Sequence, residues 1–146
     1  MKKTLKVVLL MLCLLVVLLA LTGCGNKLVA TKDVEETSDT PKHKEEVEVS
    51  FKNDKVDKVK MTFIFENDDT AKKYVDEYNA MLQLLKSFAG EEEGEVNLPT
   101  LTQSGKKATM ELDAKTFAEM SEDEKVESMT REEIKKSLED EGYTVK

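Results

Sequence analysis

The twenty residues Glu46–Phe65, EVEVSFKNDKVDKVKMTFIF, decide the fold. Val47, Val49 and Phe51 alternate with Glu46, Glu48, Ser50 and Lys52. A side-chain period of two is the mark of a strand with one face buried and one face wet. Asn53-Asp54-Lys55 is turn chemistry. A second alternation follows, with Val59, Met61, Phe63 and Phe65 on one face and Lys58, Lys60, Thr62 and Ile64 on the other. Two such runs around a short polar turn read as an antiparallel hairpin. On its wet face Glu48 is expected to pair with Lys58 or Lys60, for about 0.2–1 kcal/mol.

Working toward the C-terminus, Asn67-Asp68-Asp69-Thr70 supplies side-chain acceptors for the free N–H groups of a first helical turn. Ala71, Tyr74, Val75, Tyr78, Leu82, Leu85 and Ala89 then recur at helical spacing, and Met81 and Phe88 widen the stripe. Gly90 is the expected stop. The stripe is expected to pack across the sheet, with Tyr74 and Tyr78 in the core or at its edge. Glu91-Glu92-Glu93-Gly94-Glu95 is an acidic loop whose oxygens suit a hard cation. It lacks the spaced acidic pattern of a helix–loop–helix calcium site, so solvated charge is the plainer reading.

A second hairpin follows. Val96 to Thr102 reads as a strand interrupted by Pro99, which confines it to an edge or bulge. Ser104-Gly105 turns the chain into the alternating Ala108, Met110 and Leu112. Asp113 is placed to cap a short helix carrying Phe117, Ala118 and Met120. Ser121 to Glu124 and Thr130 to Glu133 both match the capping-box pattern. The second opens a helix with Ile134 and Leu138, stopped at Gly142 and followed by a brief extended Tyr143-Thr144-Val145. The expected class is α+β: an antiparallel sheet of about four strands in the order ββαββ, packed on one long helix, then short C-terminal helices.

Toward the N-terminus the character changes. Lys2, Lys3 and Lys6 precede the 15 apolar residues Val7–Leu21. A membrane-spanning helix needs about 20 such residues, so this run suits the apolar region of an export signal. It ends Leu21-Thr22-Gly23-Cys24, which resembles the lipobox of bacterial lipoproteins. That resemblance implies a diacylglyceryl group on the Cys24 thiol and cleavage between Gly23 and Cys24. Cys13 follows bulky residues and is an apolar filler of the signal. Removal of the signal, with three lysines and no acid, leaves 123 residues carrying 19 bases against 30 acids, a net charge of −11. Segments 1–23, 24–45 and 46–146 therefore read as signal peptide, lipidated flexible tether and one small α+β domain. Within the tether, Leu28, Val29 and Val34 are sparse, and His43 reads as a solvated linker residue. A coil of this length spans about 25 Å. It would hold an acidic domain clear of anionic headgroups, whose field decays over about 8 Å at physiological salt.

The run Phe51-Lys52-Asn53-Asp54-Lys55-Val56 to Phe65-Glu66 is similar to the small YehR-like bacterial lipoproteins. So are the helix bearing Ala71 and Tyr74 and the closing Leu138-Glu139-Asp140-Glu141-Gly142-Tyr143-Thr144. The resemblance implies the address and the fold and carries no catalytic residues.

Chemistry is sparse in the side chains. One histidine, two cysteines and no tryptophan leave little for histidine-based catalysis, metal pairs or sugar platforms. Net acidity argues against nucleic acid, whose phosphates reward clustered Lys and Arg. No catalytic residue, cofactor or metal is expected. The expected role is a non-catalytic interaction or accessory domain, lipid-anchored to the bacterial cell membrane and facing outside the cytoplasm. Its expected partner is a basic or neutral protein surface, and the membrane is met through the anchor alone. A small-ligand or cation-binding module comes second, and a small carboxylate hydrolase third.

Overall fold

The computed structural model describes residues 26–89, 99–121 and 125–146. Six strands form one antiparallel sheet: β1 (Lys27–Val34), β2 (His43–Lys52), β3 (Lys55–Phe65), β4 (Thr102–Ser104), β5 (Lys107–Asp113) and β6 (Thr144–Val145). Their order across the sheet is β4-β5-β3-β2-β1-β6. The helices are α1 (Asp68–Ala89), α2 (Ala114–Ser121) and α3 (Arg131–Asp140), with a 3-10 turn at Val126–Ser128 between the last two. The class is the expected α+β. The strand count and order are not those expected, because β1 and β6 extend the sheet beyond ββαββ.

The hairpin Glu46–Phe65 forms as read, and its turn explains itself. Asn53 and Asp54 both have positive φ, 52° and 60°. Two consecutive residues of that hand make the turn whose twist matches paired strands, and Asn and Asp tolerate it best after glycine. The ladder then slips between Ser50 and Phe51: Ser50 faces Lys58, but Phe51 faces Val56. Asp57 is the extra residue of a bulge, so Val56 and Val59 point to the same face despite their odd spacing. Both are buried.

That face carries the core. Leu28 and Ala30 of β1, Val47, Val49 and Phe51 of β2, and Val59, Phe63 and Phe65 of β3 are all buried. Ala108, Met110 and Leu112 continue it on β5. Ala71, Val75 and Leu82 of α1 are buried too, and Tyr74 and Tyr78 pack against the core from its edge. Toward the hairpin end, Ala118, Val126 and Ile134 cover Val47, Val56 and Val59. The opposite face is open. A row of side chains crosses all six strands there: Thr102, Thr109, Thr62, Glu46, Thr31 and Thr144. Threonine suits this place, being β-branched for the pleat and polar where the face meets water, although Thr62 at the centre of the row is only 8% exposed.

Two expectations are corrected. Residues 27–34, read as tether, are a strand hydrogen-bonded along its whole length to β2. Few apolar residues are needed to add a strand to a sheet already half covered: Leu28 and Ala30 face inward at 1% and 0% exposure, and the outward residues meet water. His43, read as solvated, is the first residue of β2 and is 5% exposed, because pairing with Val34 and Phe65 draws β2 three residues further back. Of the strand expected at 96–102, residues 99–101 are not in a strand and Thr102 is, while residues 91–98, including the acidic loop, lie outside the described residues. So do the signal, Gly23, Cys24, Gly90 and most of the first capping box. The second capping box is formed: the Thr130 hydroxyl accepts from the Glu133 N–H while the Glu133 carboxylate accepts from Thr130. Glu48 pairs with Lys27 of β1 at 2.8 Å, and Lys58 with Glu111 of β5 at 3.2 Å.

Candidate functional site

At the end of the sheet opposite the hairpin turn, β1 hands over to β2 through residues 35–42. His43, entering β2, lies among aromatic rings, its centroid 5.3 Å from Phe65, 5.7 Å from Phe63 and 6.3 Å from Tyr74. Its Nδ1 lies 2.7 Å from the Pro41 carbonyl oxygen. A carbonyl only accepts, so Nδ1 carries a proton. Nε2 faces Glu45 Oε1 at 3.3 Å. The other oxygen of Glu45 accepts a short hydrogen bond from the Tyr143 hydroxyl. Burial first, and then the Glu45 carboxylate, push the Tyr143 phenol well above its ordinary range. Lys32 closes this group, its ammonium 5.3 Å above the Tyr143 ring and bonded to the Glu141 carbonyl. Gly142, with φ +90°, makes the bend that brings Tyr143 back to the sheet. Every member is partnered, which fits a structural network locking the ends of β1, β2 and α3 together.

Above this network lies a cleft of about 530 Å³ between the β1–β2 connection and the first half of α1. Glu36, Asp39, Asp69 and Glu77 line it against a single base, Lys73, with Tyr74 as its floor. Thr37 shapes the loop by accepting at its hydroxyl from the N–H of Thr40 at 3.1 Å. Among the described residues no three His, Cys, Asp or Glu side chains gather closely enough to hold a metal ion.

The second candidate is on α1 itself. Asn79 clamps the extended chain at Leu101, donating to its carbonyl at 3.0 Å and accepting from its N–H at 3.1 Å. Tyr78 reaches the Pro99 carbonyl at 3.3 Å. Beyond these anchors the apolar stripe splits. Leu82 stays buried, but Met81, Leu84, Leu85 and Phe88 are 51%, 56%, 45% and 78% exposed. Met81, Leu85 and Phe88 belonged to the stripe expected to pack across the sheet, and that expectation is corrected for them. Met81 and Phe88 lie roughly a third of a turn round the helix from the line Ala71, Val75, Leu82, and Leu84 lies almost opposite it. The signal was present in the sequence, since one core-facing line cannot include both sets; the stripe was simply too wide. Tyr74 and Tyr78 are half-buried edge residues, as expected. The role of His43 with Glu45 and Tyr143 carried no sequence signal: Pro41 and Glu45 are its neighbours in the chain, but the rings around it and Tyr143 come from other elements.

A third space, about 160 Å³, lies on the covered face and is lined mostly by apolar groups such as Val47, Phe117, Met129 and Leu138. It is below the size of ordinary ligand pockets. Among the described residues no helix is long and apolar enough to cross a membrane. No protein-family model, curated protein or solved structure matches the chain.

Proposed function

We propose that this chain is a small lipoprotein, held outside the cytoplasm by a lipid on Cys24, that works by binding another protein and not by catalysis. The likeness to YehR-like lipoproteins bears on the lipid-anchored address alone. The observation that carries it is the bare apolar face of α1. Four large apolar side chains exposed on successive turns of one helix form a contiguous patch, and such patches on soluble domains mark interaction surfaces. An amphipathic or apolar partner surface would lie along Leu84 and Phe88.

Site-specific photocrosslinking tests it. A photoreactive residue replacing Leu84 in the membrane-bound protein should give one discrete adduct, lost on adding Phe88→Lys. The same group replacing Glu111, on the open sheet face, should give none. Equal labelling from the two positions, or none from position 84, would refute the reading.

A second reading rests on the acidic cleft: a small organic cation held by Glu36, Asp39, Asp69 and Glu77 with the Tyr74 ring beneath. Titration with spermidine should move the amide resonances of Thr37 and Tyr74 before any others; uniform small shifts over the whole surface would dismiss it.

A further inference from the structure

The correction at β1 changes where the anchor meets the fold. Asn26 is fixed to the sheet by the bond from the Phe51 N–H to its carbonyl, 2.8 Å long. Cys24 precedes it by two residues, which reach at most about 7 Å. There is no room for a 25 Å tether. A lipid on Cys24 would leave the molecule beside the β2–β3 turn.

That end of the sheet differs in charge from the rest. Lys27 stands opposite Ser50, Lys52 opposite Lys55, and Ser50 opposite Lys58. Arg131, at the start of α3, donates to the Lys27 carbonyl at 3.1 Å and so joins the same end. Lys27, Lys52, Lys55, Lys58 and Arg131 thus surround the emerging chain, against Asp54, Asp57 and Asp113 and the two carboxylates paired to Lys27 and Lys58, so this end is close to neutral where the mature chain as a whole carries −11. Asp113 is turned to its own helix, accepting from the Thr116 N–H at 2.7 Å. Lys27 and Lys58 are shared with Glu48 and Glu111, whereas Lys52 and Lys55 project from the tip of the hairpin. The acids of the cleft lie at the other end of β1, a strand of eight residues and so about 26 Å long. At physiological salt that is about three screening lengths, so their repulsion does not reach a surface touching the hairpin end.

We infer that the hairpin end, led by Lys52 and Lys55, rests on anionic phospholipid headgroups and stands the sheet upright, with the acidic cleft facing away from the bilayer. The inference rests on the lipidation of Cys24 proposed above. It also replaces the expectation that the membrane is met through the anchor alone. The lipid supplies attachment, and the hairpin cations supply orientation.

The full lipidated chain, purified from membranes and reconstituted into vesicles, tests this. The mature chain has no thiol besides Cys24, so Asp57→Cys and Ser38→Cys each give a single labelling position. In phosphatidylglycerol vesicles a headgroup-linked quencher should quench a fluorophore at position 57 several-fold more than one at position 38. The difference should shrink in phosphatidylcholine, in high salt, and on Lys52→Glu with Lys55→Glu. Equal quenching at the two positions, or quenching at position 57 indifferent to both charge changes, overturns the inference. The intact mass of the same sample reports the lipid separately. A chain without it, leaving both labels unquenched in the soluble fraction, overturns the anchoring reading and the inference together.

Discussion

Asn79 shows how one side chain can stand in for a strand. Its amide presents a donor and an acceptor side by side, and both are used on the backbone of Leu101. Leu101 is 3% exposed, so water cannot replace those bonds. Asn79→Ala should cost about 1–3 kcal/mol, mostly through the unpaired N–H and carbonyl left behind. Asn79→Asp keeps the acceptor but sets a carboxylate against the Leu101 carbonyl, and it should recover little of the loss. Urea denaturation of both variants checks this; a loss under about 0.5 kcal/mol for Asn79→Ala would put the clamp outside the energetics. Glu133 makes a pH prediction at the same scale. Its bonds from the Thr130 N–H and hydroxyl hold the carboxyl below its ordinary value of 4.5. A folded-state value below the unfolded one means stability that is present above about pH 4.5 and lost as pH falls through the folded value. Glu133→Gln should therefore flatten the decline in thermal midpoint between about pH 5 and about pH 2 relative to the parent chain. Identical slopes would show that the capping box does not titrate as the geometry requires.

Among the elements, β1 and α1 are where sequence and structure part company, for opposite reasons. In β1 only Leu28 and Ala30 are buried. Two buried residues in eight look like a linker when the strand that receives them is unknown. In α1 the reverse holds: too many apolar residues suggested a deeply buried helix, yet its last turns outrun the layer that covers the first. Long, strongly periodic runs such as Val59 to Phe65 were legible because each residue repeats the same message. The bulge at Asp57 was visible only as the spacing of Val56 from Val59. Leu28→Ala and Leu82→Ala should each cost about 2–5 kcal/mol, as buried leucine truncations do. Leu84→Ala, at 56% exposure, should stay within about 0.5 kcal/mol. Denaturation midpoints of the three variants give the ranking, and a neutral Leu28→Ala would mean that β1 adds nothing to the fold.

For the whole molecule, the sequence placed the start of the folded unit at Glu46, but the sheet begins near Asn26. A chain of residues 46–146 would lack β1, on which β6 pairs, and His43 with its hydrogen-bond partners Pro41 and Glu45. Residues 26–146 should unfold in one cooperative transition with dispersed amide resonances, whereas 46–146 should show collapsed dispersion and a lower, broader transition. Equal behaviour of the two would return the boundary to Glu46. The candidate site was less legible than the fold. The cleft depends on how the β1–β2 connection folds back over α1, and the His43 network depends on contacts that only the finished sheet creates.

The sheet order also has a history in time. β1, β2 and β3 follow one another in the chain and can pair as each appears, but β6 comes after every other described strand and settles against the first. Until then the free edge of β1 offers unpaired N–H and carbonyl groups to any extended chain nearby. In a chain exported and anchored at Cys24, as proposed above, that open edge would lie beside the anchor until β6 arrives. The two-residue strand Thr144–Val145 closes that edge at Ala30 and Thr31.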